Sequence, residues 1–228
     1  MKRPFIVLTI IAIIVIALAS VGPTIYQAFF SPGVKTGGLV ADGARPANTG
    51  VDGKWKVIDG AGDNRTSVGY TFHEVLPNES RETSGTTRAA SGTIEVADGK
   101  LAKGRVTVDL KQLSTDNEKR DVSVRDKLLE TDRFPEAVFE STEHPSLAKL
   151  PEDGKVGKVH LVGKLTLKGV TKPAAGDFDV LRTGSHVVLA GNLPVNRKDF
   201  HIKTHDFIAA QIDEQGAINI RLTLAKDE

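Results

Sequence analysis

Apolar and polar residues alternate with a period of two along most of the chain beyond its amino-terminal quarter. In HLVGKLTLKGVTKP, residues 160–173, the side chains of Leu161, Leu165 and Leu167 share one face, and Lys164 falls on the other. Successive side chains of a β-strand point to opposite faces, so this pattern is typical of a strand with one buried and one solvated face. The alternation therefore argues against a mainly helical fold and predicts a sheet.

The same alternation recurs in the other segments that we predict to be strands. SVGYTFHEV places Val68, Tyr70 and Phe72 on one face, and SGTIEVADGKLAKGRVTVDL predicts a hairpin that turns at Asp98-Gly99. The remaining inward-facing apolar positions are Ile94, Val96, Val106, Val108, Leu110, Phe139, Phe178, Val187, Leu189, Leu193, Ile220 and Leu222. Several such strands, separated by turn residues, predict a mostly β fold, either an antiparallel barrel or a sandwich.

One segment, STDNEKRDVSVRDKLLETDRFPEAVFES at 114–141, departs from this alternation. Thr115 followed by Glu118 fits a helix capping box. Asp121 and Arg125 are four residues apart, a spacing that suits an ion pair on a helix surface. The helix should end before the Phe-Pro pair, because the residue before proline avoids helical geometry. We therefore predict one prominent helix between two strands.

The amino terminus carries the longest apolar run of the chain. Lys2 and Arg3 precede FIVLTIIAIIVIALASVG, residues 5–22. A run of about 20 apolar residues is long enough to cross a bilayer as a helix, and the flanking basic pair should stay in the cytoplasm. We expect a single-pass membrane protein with a cytoplasmic amino terminus. The alternative is a signal peptide cleaved after ALA at 17–19, which would give a secreted protein.

Both alternatives place the strand-rich part outside the cytoplasmic membrane. Residues 31–53, SPGVKTGGLVADGARPANTGVDG, have neither period nor aromatic residues and predict a flexible linker. The predicted organisation is therefore a stub and transmembrane helix at 1–30, a linker at 31–53 and a β domain at 54–228.

Composition excludes several functions. The chain has no cysteine, which excludes disulfides, thiol nucleophiles and cysteine metal sites. Its 30 basic and 29 acidic residues give a net charge of +1, so we expect no nucleic-acid partner.

The sequence contains no convincing metal or catalytic motif. His201 and His205 would suit a metal pair on a helix, but the pattern of RKDFHIKTHDF predicts a loop or strand. No Gly-x-Ser-x-Gly motif is present, and we predict no catalytic residue, no metal and no cofactor.

Five motifs, in this order between Trp55 and about Leu224, resemble the YceI-like lipid/polyisoprenoid-binding family. They are WKVIDGAGDNRTSVGYTFHEV, GTIEVADGKLAKGRVTVDLKQLSTDNEKRD, LLETDRFPEAVFES, VGKLTLKGVTKP and VNRKDFHI. The chain departs from the family pattern at two places. Val122-Ser123 follows the Arg-Asp pair where the family often has a histidine, and His201 replaces the usual glycine after Asp-Phe.

The resemblance implies a lipocalin-like antiparallel β-barrel with a helix near one end, and a long isoprenoid lipid in its lumen. That lipid would be a polyprenyl phosphate or an isoprenoid quinone, and the eighteen inward positions named above would contact it. Arginine forks suit phosphate, so we expect any charged head group to meet Arg120, Arg125, Arg133 or Arg197. The expected partners are this lipid and the membrane, and a homodimer is compatible with the sequence.

Two other classes of function stay open at this point. The first is an envelope adhesion or interaction module whose barrel is filled by its own side chains. The second is a lipid-acting hydrolase that would use His201, His205 and nearby aspartates. A solid barrel interior would favour the first class, and a metal site would favour the second.

Overall fold

A computed structural model describes residues 9–21, 31–75, 80–204 and 211–227, and the chain divides into two compact units, Met1–Pro32 and Gly33–Glu228. In the first unit, residues 9–21 form helix α1. Within the described residues, no helix is long and apolar enough to span a bilayer. The predicted span at 5–22 extends beyond the described residues at both of its ends.

The second unit is built around one antiparallel sheet. Its strands are β1 (Gly53–Ile58), β2 (Ser67–Val75), β3 (Ser80–Thr87), β4 (Ala90–Ala97), β5 (Lys100–Asp109), β6 (Glu136–Ser141), β7 (Val156–Leu167), β8 (Val170–Thr183), β9 (His186–Asn196) and β10 (Gln211–Lys226). The order is β1-β4-β5-β6-β7-β8-β9-β10, and β1 also pairs with β10, which closes an eight-stranded barrel. The β2–β3 hairpin pairs with the remaining part of β10. The predicted mostly β barrel is confirmed.

Two-residue turns set the register of the hairpins. Leu167 of β7 faces Val170 of β8, and Lys168 and Gly169 between them have φ values of 50° and 73°. Positive φ at both positions is typical of the type I′ turn, whose twist matches that of the strands. The turn predicted at Asp98-Gly99 has the same geometry, with φ values of 52° and 66°.

The predicted helix is shorter and more irregular than its sequence suggests. Helix α2 spans Glu118–Val122 and continues as a π-helical turn, Ser123–Leu129, which ends at Glu130 in the left-handed conformation. Asn117 caps α2, since its side chain accepts hydrogen bonds from two backbone N–H groups of the first turn. The predicted Thr115–Glu118 capping box is therefore wrong, because the asparagine one residue before the helix takes the cap position.

The surface ion pair predicted between Asp121 and Arg125 is replaced by two other contacts. The Asp121 carboxylate accepts a hydrogen bond of 2.7 Å from the Thr115 hydroxyl. The Arg125 guanidinium donates to the Leu113 carbonyl at 3.0 Å. Both bonds tie the helical segment to the chain that precedes it, and the local spacing alone could not predict them.

The segment at 31–53 lies against the barrel from Gly33 onward. The Thr36 hydroxyl bonds the hydroxyls of Ser67 and Thr86 at 2.9 and 2.8 Å. Further along, the Ala47 backbone N–H donates to the Glu152 carbonyl at 2.7 Å. The composition predicts a flexible linker, whereas these tertiary hydrogen bonds fix the segment to the strands. Composition could not reveal them because their partners lie far away in sequence.

Strand β3, SRETSGTT, is polar, so no apolar alternation predicts it. It pairs with β2 from Val68–Thr87 to Val75–Ser80. Its buried side chains satisfy one another or their neighbours; for example, the Ser84 hydroxyl lies 2.9 Å from that of Thr71. Buried hydroxyls replace apolar residues here, so the usual apolar alternation is missing.

Candidate functional site

The barrel encloses a cavity of about 380 Å³ whose wall is almost wholly apolar. All eighteen inward-facing positions predicted from the alternation lie on this wall. They are Val68, Tyr70, Phe72, Ile94, Val96, Val106, Val108, Leu110, Phe139, Leu161, Leu165, Leu167, Phe178, Val187, Leu189, Leu193, Ile220 and Leu222. The volume lies within the range of about 300–1,000 Å³ that is usual for small-molecule sites. The barrel is therefore hollow, which disfavours the module with a filled core.

The cavity runs between two apolar clusters. At the helix end, where α2 and its π-helical turn connect β5 to β6, the cluster includes Leu129 and Leu167. At the opposite end, here called the tryptophan end, the cluster includes Trp55 and Phe178. Leu189 packs against both clusters, so the apolar wall is continuous from one end to the other.

Three cavity-lining phenylalanines lie against glycines of a neighbouring strand. At Gly216, for example, an added Cβ would come within 2.4 Å of the Phe72 ring. The ring thus occupies the space that a larger residue on β10 would need, and its face extends the wall. The three pairs are Phe72 with Gly216, Phe139 with Gly163, and Phe178 with Gly191. This arrangement places large apolar surface on the wall and keeps the middle of the barrel open.

A tyrosine supplies the one phenol among the described lining residues, at the helix end. Burial raises the pKa of Tyr70 to about 12, while nearby Arg120 lowers it and the carboxylates of Asp121, Asp116 and Glu74 raise it. The Tyr70 hydroxyl has no hydrogen-bond partner within the part of the chain that the structure describes. At neutral pH it is therefore an uncharged hydroxyl that can donate to a ligand.

The raised pKa gives a testable dependence of stability on pH. Tyr70 is half ionised near pH 10 in the unfolded chain, whereas its pKa in the folded chain is raised to about 12. The free energy of unfolding should therefore be unaffected by Tyr70 below pH 10. It should fall by about 2 to 3 kcal/mol as the pH rises from 10 to 12. Absorbance titration of the phenolate should show this late step, and Tyr70→Phe should remove it. A normal titration of both tyrosines, Tyr26 and Tyr70, would contradict the prediction.

The four arginines predicted to meet a head group separate into two pairs. Arg120 and Arg197 lie on the cavity wall, whereas Arg125 and Arg133 do not. Arg133 is exposed and pairs with Glu130 at 2.8 Å, because it follows the helix end on the outer surface. The structure therefore does not bring these four side chains together.

Arg120 and Arg197 already have protein partners. The Arg120 guanidinium pairs with the Asp116 carboxylate at 3.3 Å. Arg197 donates to the carbonyls of Asp213, Ile202 and Ile212 at 2.9 to 3.1 Å and is only 8% exposed. Arg197 thus joins the end of β9 to the start of β10, which is a structural role.

The tryptophan end contains wall residues that the apolar alternation does not predict. Trp55 is buried and its indole N–H donates to the Val51 carbonyl at 2.8 Å. Arg182, also on the wall, pairs with Glu152 at 2.8 Å and donates to the Thr49 carbonyl at 2.7 Å. As the only tryptophan of the chain, Trp55 could have been predicted as a buried wall residue from the sequence. Arg182 could not, because its partners lie 30 and 133 residues away.

Further wall residues come from the helical segment and from loops, where no alternation marks them. They include Leu113, Val124, Leu128, Leu129, Leu147, Leu150, Phe200 and Ile202.

The histidine pair does not form a site within the described residues. His201 is exposed and ends a short 3-10 helix, Arg197–Phe200, in the left-handed conformation. His205 lies outside the described residues. In the described part of the chain, no three His, Cys, Asp or Glu side chains are close enough to hold a metal ion.

Comparison with solved structures shows that the fold is shared. A polyisoprenoid-binding domain from Saccharophagus degradans superposes with a TM-score of 0.58 at 17% identity, covering 76% of this chain and 98% of that one. Burkholderia cenocepacia BcnA superposes with a TM-score of 0.54 at 21% identity, covering 69% of this chain and 94% of that one.

Sequence comparison gives partial matches to proteins described as UPF0312 proteins. One from Enterobacter sp. (strain 638) is 32% identical over 109 residues, which cover 45% of this chain and 53% of the relative. One from Photorhabdus laumondii is 35% identical over 83 residues, covering 36% and 39%. The chain thus spans about half the length, or less, of these relatives. Residues 60–224, most of the barrel unit, match the family model described as the YceI-like domain. The chain therefore belongs to the YceI-like family.

Proposed function

We propose that this protein binds an isoprenoid lipid with an uncharged head group, such as an isoprenoid quinone, outside the cytoplasmic membrane. The observation that carries the proposal is a continuous apolar cavity whose lining arginines already have protein partners. The description of the Saccharophagus degradans domain as polyisoprenoid-binding supports a prenyl chain as the ligand. The protein stores or carries the lipid, and the proposal includes no chemical reaction.

The apolar wall suits a long prenyl chain. Leu189 and Ile220 connect the two clusters, so one chain can contact apolar side chains along the whole cavity. Each buried methylene contributes about 0.8 kcal/mol, so a chain of many carbons binds without specific polar contacts. Affinity then comes from removal of the chain from water, and the head group sets the orientation.

The helix end suits an uncharged head group. Arg120 is balanced by Asp116, and Glu74 on the wall is balanced by Arg81 at 2.9 Å, in a pair whose side chains are each only 14% exposed. A phosphate would have to take a wall guanidinium away from the carboxylate or carbonyls that it already bonds, which is costly in an apolar site. A quinone carbonyl needs only a donor, and the Tyr70 hydroxyl can supply it.

The sequence supports a place beside the membrane. Lys2 and Arg3 before the apolar run at 5–22 favour a cytoplasmic amino terminus and an external barrel. A signal peptide cleaved within that run is the alternative, and it places the barrel on the same side. A membrane lipid would then reach the cavity without crossing a large aqueous distance.

The test uses residues 33–228, because the compact barrel unit begins at Gly33. The protein is purified without detergent, extracted with organic solvent, and its bound lipid is identified by mass spectrometry. We expect a prenyl lipid at close to one molecule per chain. In competition, a quinone should bind about tenfold or more tightly than a polyprenyl phosphate with the same chain length.

Two results would argue against parts of the proposal. An empty protein that also rejects added quinone and polyprenyl phosphate would remove lipid binding altogether. Tighter binding of the phosphate would keep lipid binding but overturn the uncharged head group. In that case Arg120→Ala should weaken phosphate binding, which would identify the wall arginine that contacts it.

A further inference from the structure

A second concavity lies on the outer surface of the barrel, away from the lumen. Ile220 and Leu222 line the lumen, so the alternation of β10 directs Arg221 between them to the outer face. Arg221 there lines a shallow concavity with Arg65, which precedes β2, and Arg88, which lies between β3 and β4. The other residues of this arginine concavity are Gly37, Gly38, Leu39, Val40, Gly62 and Asp63.

Positive charge exceeds negative charge at this concavity. Its lining contains three arginines and one acidic residue, Asp63. Asp59, outside the lining, pairs with Arg65 at 2.7 Å. Counting both carboxylates still leaves one guanidinium without a matching negative charge.

Arg221 is held by contacts that leave its charge unpaired. Arg221 donates to the backbone carbonyls of Arg65 and Gly38 at 2.9 and 3.1 Å. Carbonyls fix the guanidinium plane but do not neutralise it. Burial is the main cause that lowers the pKa of Arg221, while Asp63 raises it and Arg88 lowers it further.

Two donors at the site lack partners. The Nε of Arg65 is buried and has no hydrogen-bond partner in the part of the chain that the structure describes. The exposed Arg88 side chain has neither an ion pair nor a hydrogen bond to the described residues. Guanidinium donors suit the oxygens of phosphate, and a bound anion would balance the excess positive charge of the concavity.

We propose that the arginine concavity binds a phosphate-type oxyanion, carried either by free phosphate or by a lipid head group. Gly37 leaves the Arg221 guanidinium uncovered, since a Cβ there would lie 3.2 Å from its Nη1, and nothing lies within 4 Å of a Cβ built at Gly38. The site is separate from the lumen, so the proposal does not depend on which lipid the cavity holds.

The test uses the full chain in uncharged maltoside micelles at constant ionic strength. Inorganic phosphate is titrated by calorimetry against a chloride control, and micelles doped with phosphatidic acid are compared with micelles doped with phosphatidylcholine. Arg88→Ala should weaken binding about tenfold, because one charge-assisted contact is lost. Lys103→Ala, an exposed site on β5 with the same change of charge, should leave binding unchanged.

Each result has one meaning. Saturable binding of free phosphate that depends on Arg88 supports the site, and binding of phosphatidic acid alone with the same dependence identifies a lipid head group as the source. Failure of both probes to bind, or equal effects of Arg88→Ala and Lys103→Ala, overturns the proposal. If Arg88→Ala folds poorly, Arg88→Gln repeats the test while keeping most of the side-chain volume.

Discussion

The Leu189→Lys variant is expected to carry no lipid. Leu189 packs against both apolar clusters, so a lysine there would place an ammonium group in the middle of the apolar cavity. The charge would lose its hydration without gaining a partner, and the prenyl chain would lose its apolar contact between the two clusters. We also expect the free energy of unfolding to fall by about 3 kcal/mol.

Lipid loading is measured by solvent extraction and mass spectrometry, and folding by circular dichroism and thermal unfolding. His186→Lys is the matched control, since His186 is exposed at the start of the same strand. It should keep its lipid. Because the lysine variant could lose lipid by unfolding, Leu189→Phe is a second test that fills the cavity with an apolar ring. Folded Leu189→Lys and Leu189→Phe proteins that both carry full lipid would show that the chain lies elsewhere.

The Arg197→Ala variant is expected to lose about 3 to 5 kcal/mol of stability, because buried carbonyls would lose a charged donor. In the structure this guanidinium donates to three backbone carbonyls, those of Asp213, Ile202 and Ile212. Arg197→Lys should recover little, since an ammonium group cannot reach three carbonyls as a planar fork does.

Urea unfolding measures this loss. Arg133→Ala is the control, because Arg133 is exposed and its ion pair with Glu130 lies on the surface. Surface pairs contribute about 0 to 1 kcal/mol, so this variant should unfold almost as the parent does. A stable Arg197→Ala protein with weakened lipid binding would instead return Arg197 to the head-group role that the sequence suggested.

The fold was predictable where one physical constraint dominates a segment. A wall strand must place every second residue toward the lumen, so Leu161, Leu165 and Leu167 could be assigned from their spacing alone. The turn at Asp98-Gly99 was predictable because few residue pairs adopt positive φ at both positions.

The predictions were wrong for segments whose structure depends on contacts distant in sequence. Strand β3 has buried hydroxyls in place of apolar residues, so it gives no alternation signal. The composition of residues 31–53 predicts a linker, because the residues that hold this segment, such as Ser67, lie tens of residues away. Asn117 and not Thr115 caps the helix, because the Thr115 hydroxyl donates its hydrogen bond to Asp121.

The sequence alone predicts most of the wall strands, the inward-facing residues on them and the family, because side-chain alternation and short motifs are local properties. That the barrel is hollow follows only from its three-dimensional packing. Whether inward side chains fill the space depends on how they meet, and here the ring of Phe72 lies against Gly216 of the neighbouring strand. The tertiary structure also decided the roles of the arginines. A guanidinium such as that of Arg197 either meets a ligand or bonds the backbone, and that depends on which carbonyls the fold brings within 3.1 Å.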